Sequence, residues 1–119
     1  MRVGIAGLGL IGGSLALALR DRHEVAGYDV DPATCEQARR ADLRVVTRLD
    51  ELLPADLVIV ATPIAALLPT LAALAPRAGE AVLADVASVR GPVEAFAREL
   101  GAAVRIVGMH PMAGTTATG

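Results

Sequence analysis

The chain has 119 residues, of which 54% are hydrophobic and 20% charged, and its formal net charge is −2. This length and apolar content suit one domain with a buried core. The slightly acidic balance, with one tyrosine, one phenylalanine and no tryptophan, argues against a nucleic-acid-binding surface. The single cysteine excludes an intramolecular disulfide, and nothing indicates a metal site.

No segment indicates a signal peptide, because the first apolar run begins almost at Met1 and leads directly into a glycine motif. Residues 57–75 carry no charge, and a bilayer-spanning helix needs about 20 such residues. Pro63 and Pro69 interrupt this stretch, so a buried strand followed by a core-facing helix is the better interpretation. We therefore expect a cytoplasmic protein without a membrane segment.

The first elements surround the most informative motif. Residues 3–6 predict a buried parallel strand, and an apolar helical pattern runs to Leu19. Between them, the glycines have the G-x-G-x-x-G spacing of dinucleotide-binding turns. The first allows a tight turn, the second lets a pyrophosphate approach the backbone, and the third lets helix and strand pack closely. The predicted cofactor-binding residues of this turn are Gly7, Leu8, Gly9, Leu10, Ile11 and Gly12. The alternative is an ordinary tight strand-to-helix turn.

The second strand, predicted at residues 25–28, ends at Asp29. An acidic residue about 20 positions beyond the glycine motif typically accepts hydrogen bonds from the adenosine ribose hydroxyls. Its charge would repel a 2′-phosphate, so Asp29 favours NAD over NADP. Alternatively, Asp29 caps the next helix, but Asp31 and Pro32 already form a good cap. Cys35 is expected to be a small buried filler in that helix.

Strands and helices continue to alternate along the chain. We expect strands at residues 44–46, 57–61, 81–84 and 104–107, a helical turn at 49–53, and helices at 64–75 and 92–100. Thr62 and Pro63, which follow the fourth strand, are further predicted cofactor-binding residues. The pattern predicts an α/β doubly wound parallel sheet, Rossmann-like, with strand order 3-2-1-4-5-6 in a single dinucleotide-binding domain over residues 1–119.

Two candidate catalytic residues follow the last two strands. His110 comes after the sixth strand, and a histidine pKa near 6.5 suits proton acceptance at neutral pH. Ser88 comes shortly after Asp85, which ends the fifth strand. The alternatives are a histidine that only hydrogen-bonds in its loop and a serine that caps the next helix.

Three motifs together resemble the prephenate/arogenate dehydrogenase family of tyrosine biosynthesis. They are GLGLIGGS at residues 7–14, DVASVR at 85–90 and HPMAG at 110–114. The resemblance implies an NAD-dependent oxidative decarboxylation of prephenate or arogenate, a small-molecule substrate. It also implies that His110 accepts the hydrogen bond and proton of the substrate hydroxyl, while Ser88 orients that hydroxyl.

The chain departs from this pattern in three places. Arg90 replaces an expected lysine, residues 115–118 lack an expected Glu-Lys pair, and the chain ends at Gly119. The resemblance implies a following helical domain that forms a homodimer and binds the substrate carboxylates. We therefore expect a cofactor domain with little turnover by itself. The alternatives are another NAD-dependent β-hydroxyacid dehydrogenase or reductase, and a non-catalytic NAD-binding module.

Overall fold

A computed structural model describes residues 1–86 and the strand at residues 105–108. The strands are β1 (Arg2–Ala6), β2 (Glu24–Tyr28), β3 (Arg44–Val45), β4 (Leu57–Val60), β5 (Val82–Asp85) and β6 (Arg105–Gly108). The helices are α1 (Leu10–Leu19), α2 (Pro32–Arg40) and α3 (Ile64–Leu74), with 3₁₀ turns at Leu49–Leu52 and Ala75–Arg77. The predicted helix at 92–100 and the candidates Ser88, Arg90 and His110 lie outside the described residues.

The six strands form one sheet in the order β3-β2-β1-β4-β5-β6, and every neighbouring pair is parallel. The predicted strand order is confirmed. Parallel neighbours need long crossover connections, and α1, α2 and α3 supply those from β1 to β2, from β2 to β3 and from β4 to β5. The order changes direction between β1 and β4, and ligands of open α/β sheets bind at such a point.

The core lies on both faces of the sheet. On one face, Val3, Ile5 and Ile59 pack with residues of α1 and α2. On the other face, Val58 and Val60 pack with Leu67, Leu71 and Leu74 of α3. Alternate residues of β4 thus enter opposite cores, as expected for a strand buried on both sides. The fold is doubly wound, as predicted.

The uncharged stretch at residues 57–75 is β4 followed by α3, so the predicted buried strand and core-facing helix are confirmed. Among the described residues, no helix is both long enough and apolar enough to cross a membrane.

The strand register positions the site. One row of paired residues crosses the sheet at its carboxyl edge: Tyr28, Ala6, Val60, Asp85 and Gly108. Because all strands run the same way, the segments that leave this row emerge at the same edge. The residues predicted to bind cofactor or substrate all follow this row within a few positions.

Candidate functional site

A cavity of about 610 Å³ opens at the carboxyl edge, beside the point where the strand order reverses. We call it the edge pocket. The predicted cofactor-binding residues that line it are Gly7, Gly9, Leu10, Ile11, Asp29, Thr62 and Pro63. Three separate segments of the sequence therefore meet at one concave site of a size typical for small-molecule ligands.

At two of the three motif glycines, backbone conformation or close packing leaves no room for a side chain. Gly7 has φ +100°, and a Cβ there would lie 2.7 Å from the carbonyl oxygen of Ala61. A Cβ at Gly12 would lie 1.7 Å from the carbonyl oxygen of Gly7. The first glycine therefore allows the turn out of β1, and the third allows α1 to pack tightly on that turn.

Gly9 differs, because no contact among the described residues requires a glycine there. Its φ is −69°, which other residues adopt readily, and no described heavy atom lies within 4 Å of a Cβ built on it. Gly9 also lines the edge pocket. An added methyl group would occupy only open space, which is where a ligand could approach the backbone closely. The residue therefore fits a pyrophosphate-binding turn.

The start of α1 provides the matching electrostatics. Gly9 is its N-cap, no side chain caps it, and its first turn contains no acidic residue. The first N–H groups of a helix have no intrahelical partner, and the N-terminus carries a partial positive charge. Since Leu10 and Ile11 line the edge pocket, these donors border it and suit a phosphate group.

Both carboxylate oxygens of Asp29 are held by backbone donors. Oδ2 accepts a 2.8 Å hydrogen bond from the N–H of Leu8, and Oδ1 accepts a 2.9 Å bond from the N–H of Asp31. Each carboxylate oxygen has a further lone pair, so this arrangement leaves acceptor capacity for ligand hydroxyls. The cap of α2 is Asp31, whose Oδ1 accepts from the N–H of Ala33, with Pro32 following it. The interpretation of Asp29 as that cap is therefore wrong.

Asp31 is a second carboxylate of the edge pocket. The hydroxyl of Thr34 donates to its Oδ2 at 2.8 Å, and this bond, with that from the Ala33 N–H, lowers the pKa of Asp31 below its usual value of 3.8. Asp31 is therefore anionic at neutral pH. Among the described residues that line the pocket, two are acidic and none is lysine, arginine or histidine.

Thr62 lines the edge pocket just after the end of β4. Its Oγ1 is buried and has no hydrogen-bond partner among the described residues. A buried hydroxyl without a partner is costly, so a ligand group that satisfies it would bind favourably here. The edge pocket thus combines the open space at Gly9 with an unsatisfied buried hydroxyl among its lining residues.

Leu8 and Gly12 do not line the edge pocket. The side chain of Leu8 is 6% exposed and packs beneath β2. Gly27 makes room for it, because a Cβ there would lie 2.7 Å from Leu8 Cδ2. Leu8 and Gly12 therefore contribute to the packing of the glycine turn and not to the described pocket lining. Cys35 is buried and its thiol donates to the carbonyl oxygen of Asp29, which confirms its prediction as a buried filler.

Several pocket residues were not predicted from the sequence: Ala6, Tyr28, Val30, Asp31, Leu49, Ala61, Ala66 and Thr70. Two signals could have found some of them. Val30 is an apolar residue that directly follows Asp29, which the sequence already assigns to the site. In the structure it is 84% exposed. Ala66 and Thr70 are four positions apart on α3 and so share one face of that helix.

A family model described as "Prephenate dehydrogenase, nucleotide-binding domain" matches residues 15–119. The chain belongs to this family. Prephenate dehydrogenase of Bacillus subtilis is 35% identical over 97% of the chain, and that of Lactococcus lactis is 31% identical over 97%. The crystal structure of Synechocystis arogenate dehydrogenase superposes with a TM-score of 0.82 at 38% identity, covering 93% of this chain and 41% of that one.

As a member of the prephenate dehydrogenase family, the chain is a nucleotide-binding domain of a dehydrogenase. It spans about a third of the length of these relatives: 33% of the Bacillus subtilis protein and 35% of the Lactococcus lactis protein. The family match begins after Gly12 but includes the positions of Ser88 and His110. The glycine turn therefore gives a separate indication of nucleotide binding, from a part of the sequence that the family model does not cover.

Proposed function

We propose that the protein binds NAD in the edge pocket and uses it to oxidise and decarboxylate prephenate or arogenate. One observation carries the proposal: in a member of this family, the open space at Gly9 and the fixed carboxylate of Asp29 border the same pocket. A dinucleotide needs both features, one for its pyrophosphate and one for its ribose.

The described residues suggest how each part of the cofactor is held. The pyrophosphate passes over Gly9 and takes hydrogen bonds from the first N–H groups of α1. The adenosine ribose hydroxyls donate to Asp29, whose carboxylate is already oriented by Leu8 and Asp31. Thr62 and Pro63 contact the cofactor from the end of β4. When bound, NAD supplies the acceptor for the substrate's hydride.

The catalytic assignments of Ser88 and His110 are proposals supported by the strand register. Asp85 and Gly108 are direct partners in β5 and β6 at the carboxyl edge. Ser88 is three positions after Asp85 and His110 is two positions after Gly108, so both candidates follow the same paired row of the sheet in sequence.

In the proposed reaction, the ring carbon that bears the hydroxyl loses a hydride to the nicotinamide. His110 accepts the hydroxyl proton as the C=O bond forms, and Ser88 holds the hydroxyl by a hydrogen bond. The bond between the ring and its carboxylate breaks, carbon dioxide leaves, and the released electron pair makes the ring aromatic and converts the new C=O into a phenolate oxygen. That oxygen takes back the proton held by His110. The NAD choice rests on Asp29, because its charge would repel a 2′-phosphate.

The substrate's carboxylates need cationic partners. Arg90, which lies outside the described residues, is our proposal for one of them within this chain. A homodimer, which the family resemblance implies, and a cytoplasmic location, which suits a small-molecule biosynthetic role, are further proposals.

A spectrophotometric assay tests the proposal in the purified protein as its gene encodes it. We expect NADH to form with prephenate or with arogenate, with one carbon dioxide released for each NADH. Simple β-hydroxy acids serve as matched controls. Turnover of those acids in place of both cyclic substrates would instead identify a β-hydroxyacid dehydrogenase. Cofactor binding without turnover of any substrate would identify a non-catalytic module.

A further inference from the structure

The edge pocket contains a second carboxylate to which the proposed cofactor contacts assign no role. We infer that Asp31 is a specificity-determining residue that, together with Asp29, excludes cofactors carrying a 2′-phosphate. This inference rests on the proposed binding of NAD in the edge pocket and extends it to a residue at the start of α2.

Asp31 lies beside the proposed ribose site. Its backbone N–H donates to Asp29 Oδ1 at 2.9 Å, so the two residues are directly linked at the pocket wall. A phosphate on a ribose hydroxyl bound by Asp29 would therefore enter a pocket that also contains the Asp31 carboxylate. Asp31 is exposed and lines the pocket, so its charge acts on that space.

The start of α2 would otherwise attract a phosphate. A helix N-terminus offers unpaired N–H groups and a partial positive charge. Asp31 reverses both properties, because its Oδ1 accepts the N–H of Ala33 and its carboxylate adds a negative charge. The hydroxyl of Thr34 holds Oδ2 at 2.8 Å, which fixes the carboxylate at this position.

No positively charged side chain of the described pocket lining offsets this charge. The described pocket lining contains no lysine, arginine or histidine. The basic residues of α2, Arg39 and Arg40, are in its last turn. At 1.5 Å rise per residue they lie about 10 Å or more along the helix from Asp31. A 2′-phosphate would therefore meet two carboxylates without a compensating positive side chain from the described wall.

Two substitutions test the inference without removing the helix cap. Asp31→Asn and Asp31→Ser both retain a good N-cap while removing the charge. Glu36→Gln is the matched control, since it removes one negative charge from the same helix at a position outside the pocket lining. Thermal melts verify folding, and calorimetric titrations with NAD and NADP are made at low and high salt.

We expect both Asp31 variants to improve NADP binding relative to NAD by about two- to tenfold at low salt. The gain should shrink near 1 M salt, where the Debye length falls to about 3 Å. Glu36→Gln should leave the NADP:NAD ratio within about twofold of the parent, since it lies away from the pocket.

Two results would overturn the inference alone: a parent that prefers NAD while neither Asp31 variant moves the ratio, or an equal shift in Glu36→Gln. A parent that prefers NADP, or that binds neither cofactor, would overturn the inference together with the proposed NAD site.

Discussion

The carboxylate of Asp29 accepts a 2.8 Å hydrogen bond from the backbone N–H of Leu8, which is 21 positions earlier in the sequence. This bond ties the end of β2 to the glycine turn. The side chain of Leu8 is meanwhile buried against Gly27 of β2. The glycine turn is thus held against the end of β2 by a hydrogen bond from the Leu8 backbone and by apolar packing of the Leu8 side chain. Asp29 has a structural role in addition to its proposed role in ribose binding.

Replacing Asp29 separates these two roles. Asp29→Ala removes both acceptors and leaves the partly buried Leu8 N–H without its partner, which should cost about 1–3 kcal/mol of unfolding free energy. Asp29→Asn retains one acceptor oxygen and should cost less. Both variants lose the negative charge and should bind NAD more weakly, with a smaller preference over NADP. Thermal melts and calorimetric titrations measure the two effects, and an Asp29→Ala protein with unchanged stability and preference would refute both roles.

Alanine substitutions at Gly9 and at Gly12 form a matched pair of tests for the proposed pyrophosphate site. At Gly9 a methyl group would meet no described atom, so Gly9→Ala should change the unfolding free energy by less than about 1 kcal/mol. It should still weaken NAD binding tenfold or more, because it fills the space over which the pyrophosphate passes. Gly12→Ala would clash with the Gly7 carbonyl oxygen and should destabilise the fold itself. Normal NAD affinity in Gly9→Ala would show that the cofactor does not approach this residue.

The strands, the helices and the glycine turn could be predicted because their determinants are local, and the strand order then followed from the general rule for doubly wound sheets. Apolar runs, the spacing of Gly7, Gly9 and Gly12, and the Asp31–Pro32 cap each depend on a few consecutive residues. Parallel strands then place their carboxyl ends at one edge, so Asp29 and Thr62 could be assigned to the site from the sequence alone.

Other parts of the site depend on contacts between distant segments. Leu8 faces the core because Gly27 leaves room beneath it, a relationship set by how β1 and β2 pair. Leu49 and Thr70 reach the pocket from a 3₁₀ turn and from α3, whose distances from the glycine turn are fixed only by packing. That the Thr62 hydroxyl has no hydrogen-bond partner among the described residues is likewise a property of its surroundings in the fold.

The turn that precedes β4 should make stability depend on pH. Oε1 of Glu51 accepts hydrogen bonds from the N–H and hydroxyl of Thr47 and from the N–H of Arg48, at 3.1, 3.0 and 2.9 Å. These bonds, that from the Thr47 hydroxyl above all, lower the pKa of Glu51 below its ordinary value of 4.5. A carboxyl with a lowered pKa stabilises the fold above its unfolded-state pKa and loses that contribution as pH falls through its folded-state pKa.

Glu51→Gln should therefore lower Tm at neutral pH, and the difference from the parent should vanish at pH values well below 4.5. Melts across an acid pH series measure this, with Glu36→Gln as a charge-matched control on the exposed side of α2. A Tm difference that stayed constant down to the lowest pH would mean that the ionised carboxyl has no stabilising role.

The proposed proton acceptor gives a kinetic prediction. His110 must be neutral to accept the hydroxyl proton, so activity should rise as pH passes upwards through the histidine pKa, near 6.5 for an unperturbed side chain. In the protein as its gene encodes it, His110→Asn should lower kcat by about 10²–10⁴-fold with little change in NAD affinity. Ser88→Ala should cost less, because it removes one orienting hydrogen bond and no proton acceptor. Near-normal kcat in His110→Asn would assign the histidine a structural role only.

The central claim is that the edge pocket, formed by the glycine turn and Asp29, is an NAD site. Parallel calorimetric titrations of the unmodified protein with NAD and with NADP test it most directly. We expect saturable binding of one NAD per chain and clearly weaker binding of NADP at the same ionic strength. Equal or tighter binding of NADP, or no binding of either cofactor, would contradict the claim.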